Sequence, residues 1–385
     1  MKKSIITTAL VSLTLAAFAA DFGGTFTNIS KFADQTPEDG LKLDQKDAVS
    51  LWFSTPFGSS DANNFLIMGT YQFERNFGLE KTIQYVDIDT ARVIYNVSDV
   101  TFTAGRFFCA DMTGRIYAQN GDGASVTYAL PSFNVTAYGF YTGFLNSQTT
   151  TILLQTPTTP EPVSADPDKL YDMCPKYFAG GLKACLPGLI GEQTVSAEGI
   201  FTTKLSGTAD TRAYAEAQLS GPLTNNIYYD VTGAFGFSKY DEGDFEMSNL
   251  SVANLNFYPP LNAETSIGLS AVYASGEQGP FKPFVGFTSS TAVESLDEPE
   301  YTSLAKAGIN ASVKPVRNLL LLAGADAVFD AMDDSIEYKG FQYNAKINWQ
   351  IVSDVLASAG ITQYFDSDIS DNNKTSVTIK AVISF

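Results

Sequence analysis

The 385-residue sequence has no histidine and only three cysteines. Without an imidazole there is no Ser-His-Asp or Cys-His nucleophile, no His-ligated zinc and no histidine general base. Most hydrolase mechanisms are thereby excluded, and neither a catalytic residue nor a cofactor is expected. Basic residues are scarce as well: 24 Lys plus Arg stand against 42 Asp plus Glu, a net charge of −18. Such a chain lacks the basic face that neutralises phosphates, so no nucleic-acid partner is expected. Long apolar runs are missing after the amino terminus, which rules out transmembrane helices. It leaves membrane strands open, because about 9 to 11 residues of alternating character span a bilayer and a hydropathy average hides them.

What the chain does contain is 28 Phe, 19 Tyr and 30 Gly with only 17% charged residues, the composition of a β-rich protein. Residues 1–19 read as a cleaved secretory signal: Lys2 and Lys3 form the basic start, Ile5 to Phe18 a short apolar core, and Ala17-Phe18-Ala19 the small-x-small cleavage site. Its removal takes two of the 24 basic residues and leaves 22 against 42 acidic ones, a net −20. From residue 20 onward the period is two. At the carboxyl end Val377, Ile379, Ala381, Ile383 and Phe385 alternate with Ser376, Thr378, Lys380, Val382 and Ser384. Residues 340–350 set Phe341, Tyr343, Ala345, Ile347 and Trp349 against Gln342, Asn344, Lys346, Asn348 and Gln350. Residues 212–219 and 302–313 repeat the pattern, the first opposing Ala213, Ala215, Ala217 and Leu219 to Arg212, Tyr214, Glu216 and Gln218.

The connections fall into two classes that alternate along the chain. Short ones, such as Val97-Ser98-Asp99, Leu130-Pro131-Ser132 and Val352-Ser353-Asp354, carry turn residues; long or acidic ones include 31–46, 110–122, 144–176, 275–300 and 366–374. A strand over 177–186, turned by Pro187-Gly188, completes an even count. The expected fold is therefore all-β: a closed antiparallel transmembrane β-barrel over 20–385, with 18 strands within a range of 16 to 18 and long outer loops at 144–176 and 275–300. Through the signal, the alternating strands and the terminal aromatic residue, the chain resembles Gram-negative-type outer-membrane β-barrel porins. A finer likeness, to 18-stranded alginate-export-type channels, lies in Ala104-Gly105-Arg106, Asn120-Gly121-Asp122-Gly123 and Tyr273-Ala274-Ser275-Gly276. The resemblance implies a multi-pass protein of an outer membrane in contact with its lipid, passive passage of small hydrophilic solutes, and recognition of Phe385 by the barrel-assembly machinery.

With the polar phase of each strand taken as inward, the pore-lining cations are Arg92, Lys183, Lys204, Arg212, Lys306, Lys346 and Lys380, and the anions Glu198, Glu216, Asp230 and Asp326. This cation excess suggests an electrostatic ladder for anionic or carbohydrate solutes. The acidic excess collects in loops, where Asp241, Glu242 and Asp244 are the weak candidates for a metal site, although no cluster has the spacing of a calcium loop. Asp87 and Asp89 share a face near a strand end and mark the rim. Arg106 has the parity of Phe102 and Ala104, so alternation aims it at lipid unless a bulge re-aims it or it lies at the rim. Cys109 could pair with Cys174, or Cys174 with Cys185, leaving one thiol over. The functional expectation is a porin for small hydrophilic solutes. The alternatives are a non-conducting surface barrel that binds a partner through acidic loops and a soluble periplasmic β-protein.

Overall fold

The computed structural model describes residues 20–34, 42–58, 62–76, 81–154, 161–241, 243–261, 263–277, 279–288, 303–332, 335–368 and 373–385. The signal segment and the acidic cluster of Glu294, Asp297, Glu298 and Glu300 lie outside these residues. Among the described residues twenty strands follow in order. They begin with β1 (Asp21–Asp34), β2 (Lys42–Pro56), β3 (Asn64–Asn76), β4 (Lys81–Val97), β5 (Val100–Ala110), β6 (Ala118–Leu130) and β7 (Phe133–Tyr141). Two short strands, β8 (Leu153–Leu154) and β9 (Glu161–Pro162), pair only with each other. The wall resumes with β10 (Tyr177–Ile190), β11 (Gln193–Lys204), β12 (Asp210–Thr224), β13 (Ile227–Tyr240), β14 (Glu246–Phe257) and β15 (Glu264–Ala274). It ends with β16 (Leu304–Val316), β17 (Leu319–Asp330), β18 (Glu337–Val352), β19 (Val355–Asp366) and β20 (Lys374–Ser384).

Every wall strand is antiparallel to its sequence neighbour, and β20 pairs with β1 from Thr25↔Ser384 to Asp34↔Thr375, so 18 strands close on themselves. Closure removes the free edges that an open sheet would expose. The seam is finished by Phe385, whose backbone N–H donates to Gly24 O at 3.0 Å while Gly24 N–H donates to Phe385 O at 2.8 Å. The Phe385 ring occupies the space that a Cβ on Gly24 would need.

Several boundaries differ from expectation: β1 reaches Asp34 and β2 starts at Lys42 inside the expected connection 31–46, β6 starts at Ala118 inside 110–122, and the turn after β10 is displaced. β10 does not turn at Pro187-Gly188 but runs on, with a register shift after Leu186, to Ile190↔Gln193. A proline without an amide hydrogen is tolerated at such an irregularity. The reversal is the two-residue turn Gly191-Glu192, like those at Ser98-Asp99, Pro131-Ser132 and Ser353-Asp354.

Side-chain direction alternates as the sequence pattern requires. Leu51, Phe53, Ile67, Val86, Ile88, Val93, Leu182, Phe235, Leu269, Ile309, Ile347, Trp349 and Ile379 are exposed on the outer face, around the whole circumference. A soluble protein rarely leaves an apolar surface of that extent to water, whereas a membrane barrel requires an apolar belt.

Candidate functional site: a lumen crossed by an infolded hairpin

The site begins with a defect in the wall. The β4–β5 ladder ends at Ala91↔Arg106 and the β6–β7 ladder at Asp122↔Tyr141, yet β5 and β6 remain paired up to Ala110↔Ala118. The top of this hairpin therefore leaves the wall. Gly105 makes the bend, with φ +111, and a Cβ there would run into the Ala91 carbonyl oxygen. Only glycine takes both that backbone region and that approach.

The tip crosses to strands far around the barrel. Met112 N–H donates to Glu216 on β12 at 3.3 Å, and Phe287 N–H donates to Ile116 O at 2.6 Å. Asp111 shapes the turn by accepting the N–H groups of Ile116 at 3.0 Å, Tyr117 at 2.8 Å and Thr113 at 2.8 Å. Tyr117 packs against the rings of Tyr138 and Phe140, centroids 5.8 Å away in both cases. Residues 142–150 and 163–174 fill the place the hairpin vacates. Val86 N–H of β4 donates to Leu170 O at 3.0 Å, and Asn146 Nδ2 donates to Val86 O at 3.0 Å.

Two arginines hold this arrangement. Arg106 lies on the lipid-facing phase, as alternation indicated, yet is only 7% exposed. Its guanidinium pairs with Asp122 twice at 2.8 Å, approaches Asp87 at 3.3 Å, and donates to Phe144 O at 2.6 Å and Ile88 O at 2.9 Å. The bend and the covering loop, rather than a bulge in its own strand, spare it from lipid. Arg212 of β12 grips Asp210 at 2.9 and 2.6 Å and donates to Gly286 O and Leu153 O, both at 2.6 Å. Alongside it Tyr214 OH donates to Val285 O at 2.6 Å and Tyr177 OH to Asp210 at 2.7 Å. Both inward-folded loops thus hang from β12.

This changes the reading of several inward charges. Arg212, expected to line the pore, is 0% exposed and serves as an anchor. Glu216 is 3% exposed beneath the hairpin tip and faces Glu198 across the β11–β12 ladder, and Lys306 is buried too. Arg92 and Lys183 face a cavity of about 490 Å³ on the near-turn side of the hairpin, shared with Thr103, Tyr138 and Glu198. Lys183 Nζ lies 3.9 Å from Glu198, which accepts the Tyr138 hydroxyl at 2.6 Å. Lys346 and Lys380 line a second recess of about 170 Å³ on the β18–β20 wall. Asp230 accepts Asn254 Nδ2 at 2.9 Å, Asp326 lies across from Gly308, and Lys204 stands at the outer end of β11.

Asp87 and Asp89 are not rim markers. A register shift at Met68/Gly69 leaves Asp89 as the extra residue of β4. Such a bulge resets the phase, so Asp87 above it, Asp89 at it and Arg92 below it all face inward. The two aspartates line a third cavity of about 240 Å³, with Phe108, Asn120, Thr149, Thr150, Thr151 and Thr288. Phe108 borders both this cavity and the larger one beneath the hairpin.

Cys109, Cys174 and Cys185 are free thiols, so neither expected disulfide is formed. Burial pushes the Cys174 thiol up to about 12, which suppresses the thiolate needed for exchange. Of the weak metal candidates, Asp241 and Asp244 are exposed and Glu242 lies outside the described residues. Among the described residues no group of three or more ligands could hold a metal ion.

No family model matches the chain, and no curated protein matches it in sequence. Solved structures do match in shape. Pseudomonas aeruginosa OccK5 (OpdH) superposes with a TM-score of 0.63 at 12% identity, covering 96% of this chain and 99% of the other. The fold is that of an outer-membrane porin. P. aeruginosa OccK2 (OpdF), solved in complex with glucuronate, gives a TM-score of 0.64 at 10% identity, with 95% and 98% coverage. P. aeruginosa OprD gives 0.58 at 10% identity, covering 95% of each chain. The porin fold accounts for the wall. Two of the motifs that suggested alginate-export-type channels occupy the bend and its latch, where Gly105 turns the chain and Asp122 pairs with Arg106, and the third, Tyr273-Ala274-Ser275-Gly276, ends β15.

Proposed function

We propose that this protein is an outer-membrane porin through which small hydrophilic solutes, carbohydrates or anions, diffuse passively along a narrowed lumen. The observation that carries the reading is the hairpin tip fixed across the lumen, with an open cavity on each side and Phe108 bordering both. A barrel serving only as a scaffold for outer loops has no need of such a crossing. Arg92, Lys183, Lys346 and Lys380 remain as lumen-facing cations and support a preference for anions among small ions. The apolar belt supports contact with outer-membrane lipid, and Phe385 at the closing seam is the residue offered to the barrel-assembly machinery. Enzymatic activity is not part of this reading.

Planar-bilayer recording tests it. Discrete open steps, with a reversal potential favouring chloride in a KCl gradient, are expected. A correctly folded but electrically silent barrel would instead support the surface-binding alternative. Extraction without detergent would support a soluble β-protein.

A further inference from the structure

We propose that the cavity bounded by Asp87 and Asp89 binds a single sugar ring that bears no negative charge, an amino sugar being the form it matches best. The proposal rests on the channel reading and names a solute class for the same lumen. The cavity measures about 240 Å³, room for about eight water molecules at ~30 Å³ each, which suits one ring and not a chain of them.

Its lining is hydroxyl- and amide-rich: Asn120, Thr149, Thr150, Thr151 and Thr288 surround the two carboxylates. Thr288 Oγ1 is used by Ala118 N–H at 3.0 Å, and the Thr149 hydroxyl is used by Asp87. Among the described residues the side chains of Asn120, Thr150 and Thr151 make no hydrogen bond, which leaves them for a polyol. The two carboxylates differ. Asp87 shares the Arg106 guanidinium, at 3.3 Å, with Asp122, whereas Asp89 has no ion pair among the described residues and is oriented by the Thr70 hydroxyl, itself bonded to Ser50 at 2.6 Å. The cavity is therefore acidic. An ammonium group is drawn to Asp89, and a sugar carboxylate is repelled.

Phe108, 62% exposed, supplies an apolar ring face at the border with the larger cavity. A sugar ring can lie against it, and a cationic substituent gains from its π-face. Small anions have a separate basic wall at Lys346 and Lys380, so an acidic pocket beside the hairpin does not conflict with anion conduction.

The test uses the full chain in planar bilayers, with glucosamine, glucose and glucuronate as probes on the long-loop side, at a mildly acidic pH that keeps the amine charged. Glucosamine is expected to interrupt the current with the longest residence, glucose more briefly, and glucuronate without binding at this cavity. Asp89→Asn is expected to shorten the glucosamine events at least tenfold while leaving those of glucose within about twofold. Thr151→Val should weaken both sugars. Equal block by glucuronate and glucosamine, or an unchanged glucosamine block in Asp89→Asn, overturns the proposal. Absence of any conducting step refutes the channel reading instead. In that case saturation-transfer NMR on the detergent-solubilised barrel, with the same sugars and the same variant, decides the pocket independently.

Discussion

Replacing Arg212 with methionine separates an anchored constriction from a lumen merely crowded by loops. The guanidinium makes two bonds to Asp210 and one each to Gly286 O and Leu153 O, all between 2.6 and 2.9 Å, and is wholly buried. Methionine fills similar space but supplies no donor, leaving a buried carboxylate with only the Tyr177 hydroxyl and two loop carbonyls without partners. Removing one member of a buried ion pair costs about 3 to 5 kcal/mol. That figure already includes much of the stranded-charge penalty, so the separate hydrogen bonds are not added to it. It corresponds to roughly two to four orders of magnitude in the population of docked loops. The wall ladders do not involve this side chain, so the barrel should still form. In bilayers, Arg212→Met should give larger and noisier steps than the parent chain, with heat-modifiable gel migration showing an intact barrel. Asp210→Asn combined with Arg212→Met should recover part of the native step, because no charge is then stranded although the loop bonds stay lost. Arg212→Lys should fall between, since one ammonium cannot span the fork of acceptors. If Arg212→Met keeps the native conductance and noise, the loops do not depend on β12 and the reasoning fails.

Three further outcomes follow from other parts of the molecule. Gly105→Val combines a forbidden φ with a clash at Ala91 O and should cost several kcal/mol, beyond the ~1–3 of backbone strain alone, seen as loss of heat-modifiable barrel during refolding. Deleting Phe385 removes the last two backbone bonds of the seam; outer-membrane yield in cells should drop more than refolding yield in detergent, and equal losses would argue against a recognition role. In the outer loop, Lys169 at 2.8 Å holds the half-buried Asp172 carboxyl below its usual range. That contribution is present at neutral pH and is lost as pH falls through the lowered value. The protection of the Asp166 amide, which donates to Asp172 at 3.0 Å, should decline with acid in hydrogen exchange and no longer do so in Asp172→Asn.

The wall was legible because alternation is a local property. A strand such as 340–350 states its two faces in its own residues, and the turn chemistry at Ser98-Asp99 or Ser353-Asp354 states where the chain reverses. The miss at Pro187-Gly188 has a local cause as well: a turn-like dipeptide can sit in a register irregularity of a strand that continues. The bend at Gly105 gave only an indirect signal, the charge of Arg106 on the lipid-facing phase. Ala104-Gly105-Arg106 reads like any small residue in a strand, and what distinguishes it is the ending of two ladders with partners elsewhere in the sequence.

Charge shows most clearly why the lumen could not be read in the same way. Arg212 and Lys346 occupy equivalent inward phases on strands with the same alternation, and the rule that aims both inward is correct for both. Whether an inward charge meets water or protein is decided by chain segments more than fifty residues away: Leu153 and Gly286 reach Arg212, while among the described residues only wall strands line the Lys346 recess. The clue that was present is local pairing. Arg212 follows Asp210 at i+2 on the same face, so its charge has a partner before any loop arrives, whereas the inward neighbours of Lys346 are Asn344 and Asn348. An inward arginine with a carboxylate at i±2 is a better candidate for an anchor than for a selectivity charge, because burial becomes affordable only when the partner is already in place. By that criterion Arg92 and Lys183 remain proposed selectivity charges, and so do Lys346 and Lys380. Neutralising the latter two should move the reversal potential towards cations, and neutralising Arg212 together with Asp210 should alter pore size with little change in ion preference.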